Sequence, residues 1–196
     1  EGGPSDGVPR EGAPTLADLS TCDRIGLKGR GSTRWLEAHG IALPERPNRL
    51  RLSGGGVVVA RYGDAEYLLA TFRSTQSDVI GEVRTELEST RPAGCHAVPR
   101  VDGQAAFGLA GVGCVESLSG LCPADLRPAQ FGPQDILQTL CAGVSAQVLN
   151  LSADGARRIV VLCDASYAYH LFAALSDAVS SAGGAITAQS AWFESF

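Results

Sequence analysis

An α+β domain built from one unit used twice is the fold class this sequence predicts. Three observations predict it. The segment "IGLKGRG" (25–31) overlays "FGLAGVG" (107–113), with Gly26, Leu27, Gly29 and Gly31 matched by Gly108, Leu109, Gly111 and Gly113. Each copy then reads short helix, β-rich segment around a turn and closing helix, with Leu36 matched by Leu118 at the same distance. At 196 residues, 44% apolar and 19% charged, the chain is long enough to bury a core, as one large domain or two small halves. The expected organisation is a flexible tail (1–15), a single domain over 16–184 with pseudo-two-fold halves at about 16–95 and 96–184, and an aromatic C-terminal tail (185–196).

Residues 1–15, "EGGPSDGVPREGAPT", hold almost nothing to bury, which is why they are expected to stay flexible. "RIGLKG" predicts a short strand, and "STRWLEAHG" a short helix with Ser32 or Thr33 as N-cap and Gly40 just past its end. "ALPERPN" breaks the chain twice with proline. Residues 54–72 are β-branched and aromatic on both sides of "GDAE", the pattern of a hairpin. Val79, Val83 and Leu87, with Ile80 beside them, form one apolar helix face that Ser77 starts and Arg91-Pro92 ends.

In the second copy "VSAQVLNLSADGARRIVVLC" (144–163) again predicts strand, turn, strand. "SYAYHLFAALSDAVSSAGG" predicts the closing helix, with Leu171, Leu175 and Val179 on one face and Gly183-Gly184 at its end. "PAQFGPQDILQTLCAG" is expected to add a helix that the first copy lacks. The tail "AITAQSAWFESF" carries Trp192, Phe193 and Phe196. Lying outside the repeated unit, these aromatics have no obvious place in the chain's own core and are expected to act as interface anchors on a partner, the other reading being that the tail folds back as a last strand or plugs a gap in its own domain.

A glycine turn beside Lys28 raises the question of a phosphate cradle. The spacing fits neither a P-loop nor the dinucleotide fingerprint, and Ala110 stands where a second lysine would be. The glycines recur and the charge does not, so the shared requirement is backbone geometry. Of the six cysteines, Cys22, Cys95, Cys114, Cys122, Cys141 and Cys163, none forms a C-x-x-C pair; they are read as small buried thiols, with Cys95-His96 the one adjacent soft-ligand pair. Asp64 and Glu66, and Glu82, Glu86 and Glu88, are read as solvated charge. His170 with Asp164 lacks a nucleophile elbow and is read as a packing or interface histidine.

The net charge is −5 and the basic residues, Arg24, Lys28, Arg30, Arg34, Arg46, Arg49 and Arg51 among them, are scattered, which weighs against nucleic acid. No apolar run approaches the length of a membrane span, so no membrane role and a cytoplasmic location are expected. With no methionine in the chain, residues are expected to precede Glu1.

"DLSTCDRIGLKGRGSTRWLEAHGIALPERPN" resembles the opening of the folate-binding aminomethyltransferase-like fold: Asp-x-Ser, strand, glycine turn, and a short helix ending in Leu. "LSGLCPADLRPAQFGPQDILQTLCAGVSAQVLNL" followed by "CDASYAYHLFAALSDA" is similar to one branch, the gamma subunit of heterotetrameric sarcosine oxidase and related N-methyl amino acid demethylases. The resemblance covers about residues 16–184. It implies an oxidoreductase complex in which an alpha subunit carries NAD and the folate site, a beta subunit carries FAD, FMN lies between them, and a delta subunit binds zinc. The gamma subunit carries no cofactor and packs against its partners. The transferases place acidic residues after the glycine turn, where "GGGVVVARY" here has Val58, Val59 and Ala60, so no catalytic, cofactor-binding or metal residue is expected on this chain. Two other readings stay open: a stand-alone folate-binding enzyme of the aminomethyltransferase type, and an interaction domain unrelated to demethylation.

Overall fold

A computed structural model describes residues 12–53, 56–73, 78–90 and 92–196. In chain order the first half contains β1 (Thr15–Asp18), β2 (Arg24–Lys28), α1 (Ser32–Ala38), β3 (Arg49–Leu52), β4 (Val58–Gly63), β5 (Glu66–Ala70) and α2 (Val79–Thr90). The second half contains β6 (His96–Pro99), β7 (Gln104–Ala110), α3 (Cys114–Ser119), β8 (Ile136–Cys141), β9 (Val144–Asn150), β10 (Arg158–Asp164) and α4 (Ala168–Ser181), and β11 (Ala185–Thr187) and α5 (Gln189–Glu194) follow. The mixed α+β class is as expected.

The strands form two sheets, ordered β3-β4-β5-β2-β6 and β8-β9-β10-β7-β1-β11. The first strand of each half has crossed to the other half's sheet: β1 pairs with β7 and β6 pairs with β2, both antiparallel. β11 adds to β1 in parallel, Thr15 opposite Ala185.

Period-two alternation makes four layers from these two sheets, because successive residues of a strand point to opposite faces. On β10, Ile159, Val161 and Cys163 face Leu118, Leu171, Leu175 and Val179 of α3 and α4, whereas Val160 and Leu162 face the other sheet. On that sheet Val58, Ala60, Leu68 and Phe72 close the inter-sheet core, while Val59, Tyr67 and Leu69 pack under Trp35 and Leu36 of α1 and Ile80, Val83 and Leu87 of α2. Each fully buried leucine here contributes about 1.5–3 kcal/mol.

Several expectations shift. Part of the expected tail belongs to the fold: Pro14 is buried and Thr15 pairs with Ala110, while residues 1–11 lie outside the described residues. Ser77 and Arg91, expected at the ends of α2, also lie outside them. α1 starts at Ser32 with Gly31 at the N-cap, so neither Ser32 nor Thr33 caps it through its side chain. No helix forms over "PAQFGPQDILQTLCAG"; its second part is β8, paired with β9 from Ile136 to Cys141. Pro133 denies that stretch a helical donor, and the ladder with β9 supplies the backbone bonds a helix would have made.

Candidate functional site

The glycine turns spend their amides inside the fold. Gly29 donates to the Ala65 carbonyl at 3.0 Å and Gly31 to the Gly94 carbonyl at 2.9 Å. A Cβ at Gly29 (φ +119°) would run into the Gly94 carbonyl, and one at Gly31 into the Ala93 carbonyl. In the second half Gly111 (φ +94°) lies where a Cβ would come within 2.6 Å of the Ala13 oxygen. Each turn thus presses against the backbone just ahead of the strand that crosses over. Lys28 pairs with Glu66 at 3.2 Å and is 64% exposed. A phosphate cradle needs free N–H groups pointing at a ligand, and Gly29 and Gly31 have none to offer.

The start of β4 and the residue before it are apolar: Val57, Val58, Val59 and Ala60 are all buried. Asp64 sits in the β4–β5 turn, and Glu66 is held by Lys28 and by Arg100 at 3.1 Å. On α2, Glu82 and Glu88 are exposed and Glu86 lies 3.7 Å from His39. His170 Nε2 lies 2.9 Å from the Ala142 carbonyl oxygen. Asp164 accepts from the Ser166 side chain and backbone N–H, which hold its carboxyl below the usual range, so these two residues serve separate local contacts.

All six cysteines are free and buried. Burial pushes the Cys22 thiol up to about 11 and those of Cys114 and Cys141 up to about 12. Cys95 is buried beside the Ser32 hydroxyl while His96 is exposed, so the adjacent pair does not converge. Among the described residues no group of three histidine, cysteine or acidic side chains could hold a metal, and no helix is long and apolar enough to cross a membrane.

The expectation that Trp192, Phe193 and Phe196 lie outside the core is corrected. Trp192 is 2% exposed and its indole N–H donates to the Phe72 carbonyl at 2.7 Å. It fills the space above Gly108, where a Cβ would lie 2.7 Å from the indole ring. Phe193 and Phe196 pack against the same inter-sheet core. The Phe196 ring lies under two guanidinium groups, Arg158 at 4.3 Å and Arg73 at 4.9 Å. The physical reason is that β7 leaves an open slot at a glycine and α5 places an aromatic ring with a donor over it.

Two features escape sequence reading. Arg24 is 1% exposed on the inter-sheet face of β2, and its guanidinium donates to the carbonyls of Leu19, Cys22, Ser20 and Gln104 at 2.8–3.1 Å. That ties the β1–β2 loop to β7, and burial lowers its pKa. The other is an open groove of about 530 Å³ between residues 44–46 and the outer edge of β3, with Arg46, Arg49 and Arg51 along it. The far wall is fixed by Arg61, which donates to the Pro44 and Glu45 carbonyls at 3.1 Å. The three arginines stand close together in sequence, but only the fold of the proline-broken segment over β3 makes a groove of them.

No protein-family model matches the chain, and no curated protein matches it in sequence. A chain of the heterotetrameric sarcosine oxidase from Corynebacterium sp. U-96, solved in complex with pyrrole 2-carboxylate, is similar to it with a TM-score of 0.74 and 23% identity over 90% of this chain and 89% of that one. Aminomethyltransferase T of the glycine cleavage system from Bartonella henselae is similar with a TM-score of 0.63 and 11% identity. That match covers 90% of this chain but 47% of the transferase, so the chain spans about half its length. At these identities the likeness is one of fold: the chain has the architecture that these two proteins share.

Proposed function

We propose that this chain is a non-catalytic subunit, gamma-like, of a multi-subunit flavin-dependent complex that oxidatively demethylates N-methyl amino acids. One observation carries the reading: the match covers 90% of this chain and 89% of the sarcosine oxidase chain, so the likeness runs along nearly the full length of that chain. The alternative, a stand-alone aminomethyltransferase, is less favoured because this chain carries valines and alanine where the acid is expected.

In this reading FAD, FMN, NAD, tetrahydrofolate and zinc belong to the alpha, beta and delta partners. Supporting that assignment, the Gly29 and Gly31 amides are already bonded to carbonyls and the start of β4 is apolar. The two halves are read as pseudo-two-fold copies, which the shared strand order β2-β5-β4-β3 and β7-β10-β9-β8 supports. A cytoplasmic assembly is the simplest setting. Affinity purification of the native chain, followed by an absorption spectrum and a subunit count, tests the proposal. The expected result is a yellow assembly of several polypeptides; a colourless monomer by light scattering overturns it.

A further inference from the structure

We propose that the groove beside β3 binds an extended acidic segment of a partner polypeptide, which adds as a strand to the free end of that edge. The subunit reading bears only on where such a segment comes from; the preference itself belongs to this chain.

β3 is the outermost strand of its sheet. Its pairing phase with β4 follows from the Ser53 N–H donating to the Val57 carbonyl at 2.8 Å, which turns the N–H and C=O of Leu50 and Leu52 away from β4. At Leu50 the outward edge is occupied: its N–H donates to the Gln134 carbonyl at 2.8 Å, and Ile136 donates to the Asn48 carbonyl at 3.0 Å. The cover ends there, because the Gln134 N–H turns away from β3 to donate to the Asn150 carbonyl at 2.9 Å. β3 continues to Leu52, whose outward N–H has no backbone partner among the described residues.

Charge names the occupant. Arg46 and Arg51 are exposed, and neither has a carboxylate within ion-pairing distance among the described residues, whereas Arg49 is paired with Asp135. Glu45 is the acidic residue on the lining. In a chain with 16 basic and 21 acidic side chains, this clustering makes the groove a local positive site. Arginines on an edge can also repel other strands. Here, however, they line an open groove beside an unpaired main-chain donor, which is the geometry of strand addition.

The test uses the purified full chain and a labelled, end-blocked peptide alternating glutamate with valine. Fluorescence anisotropy is expected to show binding that weakens at least about tenfold in both Arg51→Glu and Arg46→Glu. It should weaken similarly for a glutamine version of the peptide and for one N-methylated on the bonding edge, while the Leu52 amide becomes protected from exchange. Three outcomes overturn the proposal: no binding up to about 1 mM peptide, equal binding of the N-methylated peptide, or full displacement by inorganic phosphate, which makes the groove a point-charge anion site. All are read on the isolated chain, so a failure here leaves the subunit reading standing, and a monomeric native protein leaves this one standing.

Discussion

The indole N–H of Trp192 donates to the main-chain carbonyl of Phe72 at 2.7 Å, joining the last helix of the chain to the end of the β5 segment of the opposite sheet. Residues 120 apart in sequence are thereby fixed across the inter-sheet core. Trp192→Ala is expected to destabilise the isolated chain by about 3–5 kcal/mol, read as a fall in the urea midpoint, since it removes a buried ring and leaves a cavity. Gly108→Ala should destabilise as well, and less so when Trp192 is already Ala, because the new methyl then no longer meets the indole, with Leu19 Cδ1, at 2.8 Å, still to displace. Additive effects in that double-mutant cycle would show that Gly108 and Trp192 do not share the slot.

Substitution at the two glycine turns separates geometry from charge. Gly29→Val and Gly111→Val are each expected to cost at least about 1–3 kcal/mol from backbone strain alone. Lys28→Ala, which breaks an exposed pair, should cost below about 1 kcal/mol. Thermal melts of the three variants decide it; a harmless Gly29→Val beside a Lys28→Ala that abolished ligand binding would restore the phosphate reading.

Arg24→Met should lower stability by about 3 kcal/mol or more, because the guanidinium is the hydrogen-bond donor to several buried carbonyls that methionine cannot satisfy. Denaturant unfolding measures it. A loss below about 0.5 kcal/mol would mean that solvent reaches those carbonyls.

The buried thiols predict an alkaline limit. Their folded pKa values, about 11 for Cys22 and about 12 for Cys114 and Cys141, exceed the ordinary 9.0. Between those values the folded chain therefore holds protons that the unfolded chain has released, and stability falls as pH rises through that window while staying intact below it. Urea midpoints at about pH 8 and about pH 10.5 should differ in that direction, and alanine at Cys114 should reduce the difference.

The isolated chain is expected to bind FAD, FMN and tetrahydrofolate weakly. Isothermal calorimetry giving a low-micromolar dissociation constant for any of them, equivalent to about −8 kcal/mol, would revive the stand-alone transferase.

What the residues declared in advance was whatever carries a period. The hairpin around Asp64, the faces of α2 and α4 and the β9–β10 pair were readable because each spans enough residues to repeat. β1, β3, β6 and β11 were not, being three or four residues long and defined by partners far away in sequence. β8 was misread because Ile136, Leu137 and Leu140 mimic a helix stripe, and only β9 beside them makes the stretch extended. Trp192 looked homeless because its slot is a glycine on another strand. The arginines of the groove were visible singly, but no local pattern says that residues 44–46 fold over β3.

The exchange of β1 and β6 between the sheets gives the chain a timetable. β1 leaves the ribosome first, yet its neighbours β7 and β11 begin about 90 and 170 residues later, at Gln104 and Ala185. Until then Leu16, Ala17 and Leu19, all buried in the finished fold, stay wet on the nascent chain. β2 likewise waits for β6 to cover its far edge. Neither half can finish by itself: the first sheet is complete once β6 is made, but the second waits for β8, β9 and β10 beyond β7 and for β11 to reach β1, so both sheets can lock only when nearly all of the chain has been translated. A pause before that point leaves two open edges for a chaperone, or for another copy of the same chain, to find.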